Sequence, residues 1–307
     1  MLLEMAKMSK AMSPWLLAAR PRTLLLAASS IGLGLLLAAA AGPLQGLVAL
    51  LSLITAALLQ ILSNLANDYG DARHGADAAR SGPPRAVQSG LVSSVAMLRA
   101  AVIVAVIAAL SGLALVALAF GFRAIPSLLL VALGGAALWA AVAYTATPRP
   151  YGYRGLGDPM VFVFFGPVAV LGSYLLQRGT LEPDLLLPAA ASGLLAVAVL
   201  NINNLRDLDS DRAAGKRSLA VRLGPRRARL YHLLLLAGSA LAGVLYAALE
   251  GGSAARLLVL LALPLLALNG WRVWRARSPA DLDPLLKGMA LAALAFCLLL
   301  GLGQVLA

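Results

Sequence analysis

Apolar residues run through this chain in long blocks, separated by short polar or Pro/Gly-rich breaks. The blocks near residues 23–42, 45–66, 96–120, 125–146, 159–177, 185–204, 229–248, 254–271 and 285–305 each come close to the roughly 20 residues a helix needs to cross a hydrocarbon core. The pattern predicts an all-α polytopic membrane protein with nine transmembrane helices, one domain over residues 1–307. Residues 1–22 form a short lead, and residues 72–95 and 205–228 form the two long cap loops.

Two blocks end unlike the others. The second closes on Asn64-Leu65-Ala66-Asn67-Asp68-Tyr69-Gly70-Asp71. On a continuous helix Asn64, Asn67, Asp68 and Asp71 stand at i, i+3, i+4 and i+7 and share one face. Shifted by 140 positions, Asn64, Asn67, Asp71 and Gly75 become Asn204, Asp207, Asp211 and Gly215 at the end of the sixth block. There Asn203, Asp207 and Asp211 recur every four residues, Asn204 lies beside Asp207, and Asp209 falls off the face. The offset predicts two pseudo-repeated four-helix halves followed by one added helix.

Composition narrows the class. With 61% hydrophobic and 12% charged residues and a mean hydropathy of +0.87, the chain lacks the polar surface of a soluble globule. Its net charge of +12 does not point to nucleic acid, because the charge sorts by loop. Of the 25 lysines and arginines, all but Arg123, Arg178 and Arg256 lie before the first span or at the even-numbered connections. The positive-inside rule then puts the N-terminus, both acidic clusters and the cap loops in the cytoplasm. The first apolar block, behind Lys7, Lys10, Arg20 and Arg22, is too long for a cleaved signal peptide and reads as a retained span. Arg20 and Arg22 serve either as membrane anchors or as a grip on an anionic group. Cys297, the single cysteine, forms no internal disulfide and reads as packing.

Carboxylates at membrane depth call for cationic partners. Asp and Asn with no His or Cys on the face make a hard oxygen set suited to Mg²⁺. His74 lies off that face, which disfavours zinc. Two such clusters with Mg²⁺ between them can bind a diphosphate, with Arg85, Arg206, Lys216 and Arg217 neutralising what the metals leave. For an allylic diphosphate the same contacts stabilise pyrophosphate as a leaving group, so the C–O bond ionises to an allylic cation, which tyrosine faces can stabilise. Either cluster alone is as well explained by a solvated helix end, whereas two matched copies favour a site.

The loop from Tyr144 to Asp158, with Tyr144, Arg149, Tyr151, Tyr153 and Arg154, reads either as an interfacial aromatic belt or as a shaped site for an anion or aromatic ring. Trp271 to Arg277 reads as a Trp/Arg interfacial anchor. A divalent-cation transporter would also carry repeated acidic residues, but near mid-membrane rather than at span ends. A phosphatidyltransferase uses one contiguous acidic motif, unlike these separated halves.

Three stretches, 62–71, 150–158 and 201–207, resemble the UbiA superfamily of intramembrane aromatic prenyltransferases. Asn67-Asp68-Tyr69-Gly70-Asp71 resembles its first aspartate-rich motif and Asp207-Leu208-Asp209-Ser210-Asp211 its second. Within the superfamily the stretches are most similar to those of members acting in menaquinone synthesis. The resemblance implies helices around a central cavity, capped by the two long loops and open sideways to membrane lipid for an isoprenoid tail. It implies that a polyprenyl diphosphate alkylates 1,4-dihydroxy-2-naphthoate, with loss of CO₂ and pyrophosphate, to give demethylmenaquinone in a bacterial cytoplasmic (inner) membrane. The acceptor 4-hydroxybenzoate, as in ubiquinone synthesis, is the alternative.

Carried over by position, Asn67, Asp71, Asp207 and Asp211 hold Mg²⁺, two ions bridging the diphosphate, with Asp68 a further ligand or base. Asn64, Asn203 and Asn204 stand behind them. Arg85, Arg206, Lys216 and Arg217 take the diphosphate, and Tyr144, Arg149, Tyr151, Tyr153 and Arg154 the acceptor and cation region. One departure is Gly75, where the family often has a third Asp; Asp77 follows two positions later.

Overall fold

The described residues open with a helix that stops and restarts. Helix α1 (Pro14–Ala19) ends at Arg20, whose backbone is left-handed (φ 49°), and α2 (Pro21–Ala40) resumes with Pro21 at its first position, where no amide hydrogen is needed. The computed structural model describes residues 13–75, 85–121 and 125–307. The start of the expected lead with Lys7 and Lys10, the middle of the first cap loop with Asp77, and Arg123 lie outside the described residues. After α2 come α3 (Gly46–Arg73), α4 (Ser94–Phe120), α5 (Ile125–Ala143), α6 (Gly157–Arg178), α7 (Pro183–Arg206), α8 (Leu208–Ala213), α9 (Leu219–Leu249), α10 (Ala254–Arg275) and α11 (Pro279–Val305).

Among the described helices, α2, α3, α4, α6, α7, α9, α10 and α11 are long and apolar enough to cross a membrane. The expected fourth span corresponds to α5, which is apolar but shorter and ends at Ala143 rather than 146. Pro148 and Pro150 lie just beyond, and the residue before a proline is pushed out of helical geometry. The chain there turns back over the ends of the other helices.

Corresponding helices of the two halves pair alike: α3 lies on α2 and α4, and α7 lies on α6 and α9. Their surroundings differ. Over their most apolar windows α7 is 72% buried and α3 only 17%. The added helix accounts for the difference, since α11 packs along both α2 and α7 and screens α7 from lipid. The main core therefore gathers around α7, with Leu195, Ile202, Met289, Phe296 and Leu300 fully enclosed. Cys297 is buried in the same core. Small residues let α6 and α7 approach closely: a Cβ at Gly166 would fall 2.6 Å from the Ala189 carbonyl oxygen, and one at Gly193 2.7 Å from that of Phe162.

Both cluster-bearing helices end on one face, and side-chain bonds hold that face together. Asn64 Nδ2 donates to the Ala19 carbonyl and to the Thr23 hydroxyl (2.8 Å each), tying the α1–α2 break to α3. Asn201 Nδ2 donates to the Ala228 carbonyl (3.0 Å), tying α7 to α9. Helix α9 is itself broken at Gly224 (φ 75°), ahead of Pro225, so its first turn belongs to the second cap loop.

Candidate active site

The first cluster reaches this face because α3 runs unbroken to Arg73. Asp71 is buried; its Oδ1 accepts from the Tyr153 hydroxyl (3.0 Å), and its Oδ2 lies 3.5 Å from the Arg85 guanidinium. One turn earlier, the Asn67 Oδ1 accepts from the Thr145 hydroxyl (2.9 Å). Gly70 permits this approach, since a Cβ there would stand 2.5 Å from the Thr145 carbonyl carbon and 2.8 Å from the Ala146 nitrogen. The motif glycine thus lets α3 touch the backbone of the Tyr144 loop.

Asp68 does a different job from its neighbour. Its Oδ2 accepts from the Ala86 amide (3.1 Å) and its Oδ1 from the Val87 amide (3.3 Å). Each oxygen accepts from a backbone amide, so Asp68 anchors the cap loop. That loop also carries the buried Arg85 to Asp71. His74 is exposed, with its Nδ1 2.9 Å from the Gly70 carbonyl oxygen.

The second cluster is built on a break. Helix α7 ends at Asp207, α8 restarts at Leu208, and the Asp211 amide donates to the Asp207 carbonyl (2.8 Å), so the four-residue spacing survives the break. Arg206 is buried and grips Asp207 with two bonds, Nε to Oδ1 and Nη2 to Oδ2, both 2.8 Å. It also donates to Asn203 Oδ1 (2.7 Å) and to Asp283 Oδ1 (2.8 Å) on α11. Asp283 in turn pairs with Arg22 at 3.5 Å, linking the start of α2 to the site. Asn204 is buried.

Lys216 joins the two clusters. Its buried ammonium lies 3.4 Å from Asp211 Oδ1 and 5.4 Å from the centre of the Tyr153 ring, whose hydroxyl holds Asp71. Burial disfavours the ammonium, but Asp71, Asp211 and Asp207 outweigh it and hold its pKa above the usual lysine range. The Asp211 carboxyl is pushed up to about 6, first by burial and then by the Asp207 and Asp71 carboxylates, with Lys216 opposing. Its Oδ2 is buried without a hydrogen-bond partner. Clusters 140 residues apart in sequence therefore act electrostatically on one another across a single lysine.

Of the other expected site residues, only Tyr144 stays beside the clusters. Arg149, Arg154 and Arg217 are exposed. Arg217 takes part through its backbone, its amide donating to the Tyr153 carbonyl (2.9 Å), and the Arg154 carbonyl accepts from Arg222. Tyr151 stacks on Trp139 (5.9 Å between ring centres) and donates to the Ala140 carbonyl (2.8 Å), so it fixes the loop to α5. Tyr144 packs edge-on against Tyr151 and lies within the field of Asp71, Asp211 and Lys216.

Among the described residues no three carboxylate, histidine or cysteine side chains converge to hold a metal by themselves. The donor set nevertheless fits Mg²⁺, which binds through one or two carboxylates and completes its shell with water and substrate phosphate. The unpartnered Asp211 Oδ2 is a buried acceptor of the kind such an ion would satisfy.

A model of the UbiA prenyltransferase family matches residues 25–295. The chain belongs to that family. It is similar to the 1,4-dihydroxy-2-naphthoate octaprenyltransferase of Escherichia coli, 51% identical over 290 residues and 94% of each chain. A UbiA homologue from Aeropyrum pernix shares the fold with a TM-score of 0.68 at 20% identity, over 92% of this chain and 97% of that one. A UbiA homologue from Archaeoglobus fulgidus bound to GPP and Mg²⁺ does so with a TM-score of 0.59 at 17% identity, over 94% and 99%. The UbiA fold accounts for the all-helical, multi-pass architecture described above.

Two features of this UbiA-family site escape the sequence pattern. Asp283 contacts Arg206 from 77 positions away, just past the first turn of α11, in a stretch that reads as an ordinary helix start. Tyr153 bridges the halves from a loop whose tyrosines look alike in sequence. Tyr153→Phe removes the hydroxyl from Asp71 but keeps the ring beside Lys216. Hydrogen bonds to charged groups contribute roughly 1.5–3 kcal/mol, so a fall in kcat of about 10- to 100-fold is expected, with the melting temperature in detergent little changed. Full activity in this variant would show the bridge to be dispensable.

Proposed function

We propose that this chain transfers a polyprenyl group from polyprenyl diphosphate to 1,4-dihydroxy-2-naphthoate, releasing CO₂ and pyrophosphate and giving demethylmenaquinone. The reaction takes place at the cytoplasmic face of a bacterial inner membrane, with the N-terminus in the cytoplasm. The observation that carries this reading is the convergence of the two acidic clusters: Lys216 pairs with Asp211, and the Tyr153 ring beside that ammonium carries the hydroxyl that donates to Asp71. The acceptor follows from the naphthoate-specific name of the Escherichia coli relative, which matches over nearly its full length. The bound GPP and Mg²⁺ of the Archaeoglobus fulgidus homologue support a metal-assisted diphosphate site in the same fold.

The site holds carboxylates and cations side by side. Asp71 pairs with Arg85, Asp207 with Arg206, and Asp211 with Lys216. Buried pairs of this kind contribute little net stability, and each charge needs a partner at all times. Asp71, Asp207 and Asp211, with the Asn67 amide oxygen, would hold Mg²⁺, two ions in this reading. When bound, Mg²⁺ supplies charge neutralisation that makes pyrophosphate a good leaving group. Arg85, Arg206 and Lys216 would then be placed to neutralise the phosphate oxygens, on which negative charge grows as the C–O bond breaks. Tyr144 and Tyr153 present ring faces to the allylic cation. Asp68 keeps the Arg85 loop in place, and Asn64 and Asn203 hold α3 and Arg206.

Mass analysis of the product tests this. The purified protein, given one polyprenyl diphosphate, Mg²⁺ and either acceptor, is expected to yield a naphthoate-derived product lacking the mass of CO₂. EDTA should stop turnover and added Mg²⁺ restore it. Product from 4-hydroxybenzoate alone, or no pyrophosphate release with either acceptor, would overturn the reading.

A further inference from the structure

A groove outside the active site converges three arginines that the proposed reaction does not use. It is a shallow, open depression lined by Arg229, Trp274, Arg275, Ala276 and Arg277, where the start of α9 meets the end of α10. The segment after α10 leads directly into α11, whose Asp283 pairs with Arg206, so the groove opens on the same membrane face as the active site. No carboxylate lines it, and among the described residues no salt bridge engages Arg229, Arg275 or Arg277. Asp281, on the first turn of α11, spends its Oδ2 on the Arg277 and Ser278 amides (2.9 Å each).

The groove has a fixed floor and an apolar flank. Arg229 Nη2 donates to the Ala276 carbonyl (2.7 Å), which pins that guanidinium, while its Nε is buried without an acceptor. The Arg275 guanidinium lies 4.7 Å from the centre of the Trp271 ring. Trp271 and Trp274 are exposed at this level, and Leu230 and Leu234 on α9 and Leu265 and Leu268 on α10 are exposed further along the helices. Asp281 stands beside Arg277, so the surface around the groove holds one carboxylate against three arginines. Positive-inside topology explains the sign of these charges, but not their convergence between tryptophans and an apolar helix flank. A ligand matching both parts has a phosphate at headgroup depth and hydrocarbon chains below it.

We propose that this groove binds one anionic phospholipid, its phosphate between Arg229, Arg275 and Arg277 and its acyl chains along the exposed leucines of α9 and α10. Native mass spectrometry of the full chain from mild detergent tests it, using phosphatidylglycerol and phosphatidylcholine of matched chains. Retention of one phosphatidylglycerol per chain, about tenfold or more above phosphatidylcholine, is expected. Arg275→Gln/Arg277→Gln should lower phosphatidylglycerol retention by about tenfold and leave phosphatidylcholine retention and prenyl transfer in neutral vesicles unchanged. Equal retention of the two lipids by the unmodified chain, which needs no variant, would overturn the proposal. So would undiminished phosphatidylglycerol retention by the double variant, or displacement of the lipid by millimolar inorganic phosphate, which marks a simple anion site. The lipid readout does not depend on which acceptor the enzyme prenylates.

Discussion

Asp71→Ala and Asp207→Ala are each expected to abolish prenyl transfer while the chain remains inserted and helical. Neither side chain belongs to the apolar core; Asp71 meets Tyr153 and Arg85, and Asp207 meets Arg206, at the ends of their helices. Removing a preorganised charge from such a site costs about 100- to 1,000-fold for a single contact, and a carboxylate that also organises a metal and a cation should exceed that range. The two variants differ in their side effects. Without Asp71, Tyr153 and Arg85 lose an acceptor at the edge of the cap loop. Without Asp207, the buried Arg206 loses a two-bond partner, though Asn203 and Asp283 still accept from it. Breaking a buried pair typically costs about 3–5 kcal/mol, so Asp207→Ala should also melt earlier, and Asp207→Asn separates the two effects. Pyrophosphate release and product formation, measured beside thermal unfolding in detergent, decide the matter. Asp209→Ala serves as the control, because its side chain is 89% exposed and its pairing with Arg212 lies at the surface. If either alanine variant keeps more than about a tenth of the activity, the carboxylate site proposed here is wrong.

Gly70→Ala should be nearly as damaging, for a different reason. The added methyl has only backbone to displace, the Thr145 carbonyl at 2.5–2.6 Å and the Ala146 nitrogen at 2.8 Å. Helix α3 and the Tyr144 loop must therefore separate, which strains the Asn67–Thr145 bond and withdraws Tyr153 from Asp71. Overpacking of this sort costs about 1–3 kcal/mol of stability. A displacement of about 1 Å at reacting groups lowers turnover by roughly 100-fold. Gly172→Ala is the matched control, since nothing stands within 4 Å of a Cβ there and the backbone is helical. A Gly70→Ala enzyme with normal kcat would show that the close approach of α3 to the loop plays no part in placing Asp71.

These expectations draw unevenly on sequence and structure. Hydrophobic block length located the membrane helices because crossing a bilayer imposes a minimum apolar run on each segment separately. The same local logic exposed the acidic faces, since Asn67 and Asp71, or Asn203 and Asp207, are four residues apart and a helix puts such residues on one side. Helical spacing is silent on what Asp68 touches. It shares the face with Asp71 by periodicity, yet the Ala86 and Val87 amides, 18 and 19 positions on, claim both of its oxygens. Charge type failed for Arg149, Arg154 and Arg217, because an arginine in a loop on the positively charged face satisfies topology equally well pointing into a site or out of it.

The order of helices, the two polar helix ends and their chemistry were set by the amino-acid sequence alone, because each depends on residues within a few turns of one another. Which carboxylates turn inward, the meeting of both clusters around Lys216, the bridge through Tyr153 and the support from Asp283 belong to the tertiary structure. Those interactions join residues more than 60 and up to 145 positions apart, and the packing of α11 on α2 and α7, with the glycine-permitted approach of α3 to the Tyr144 loop, brings them within reach.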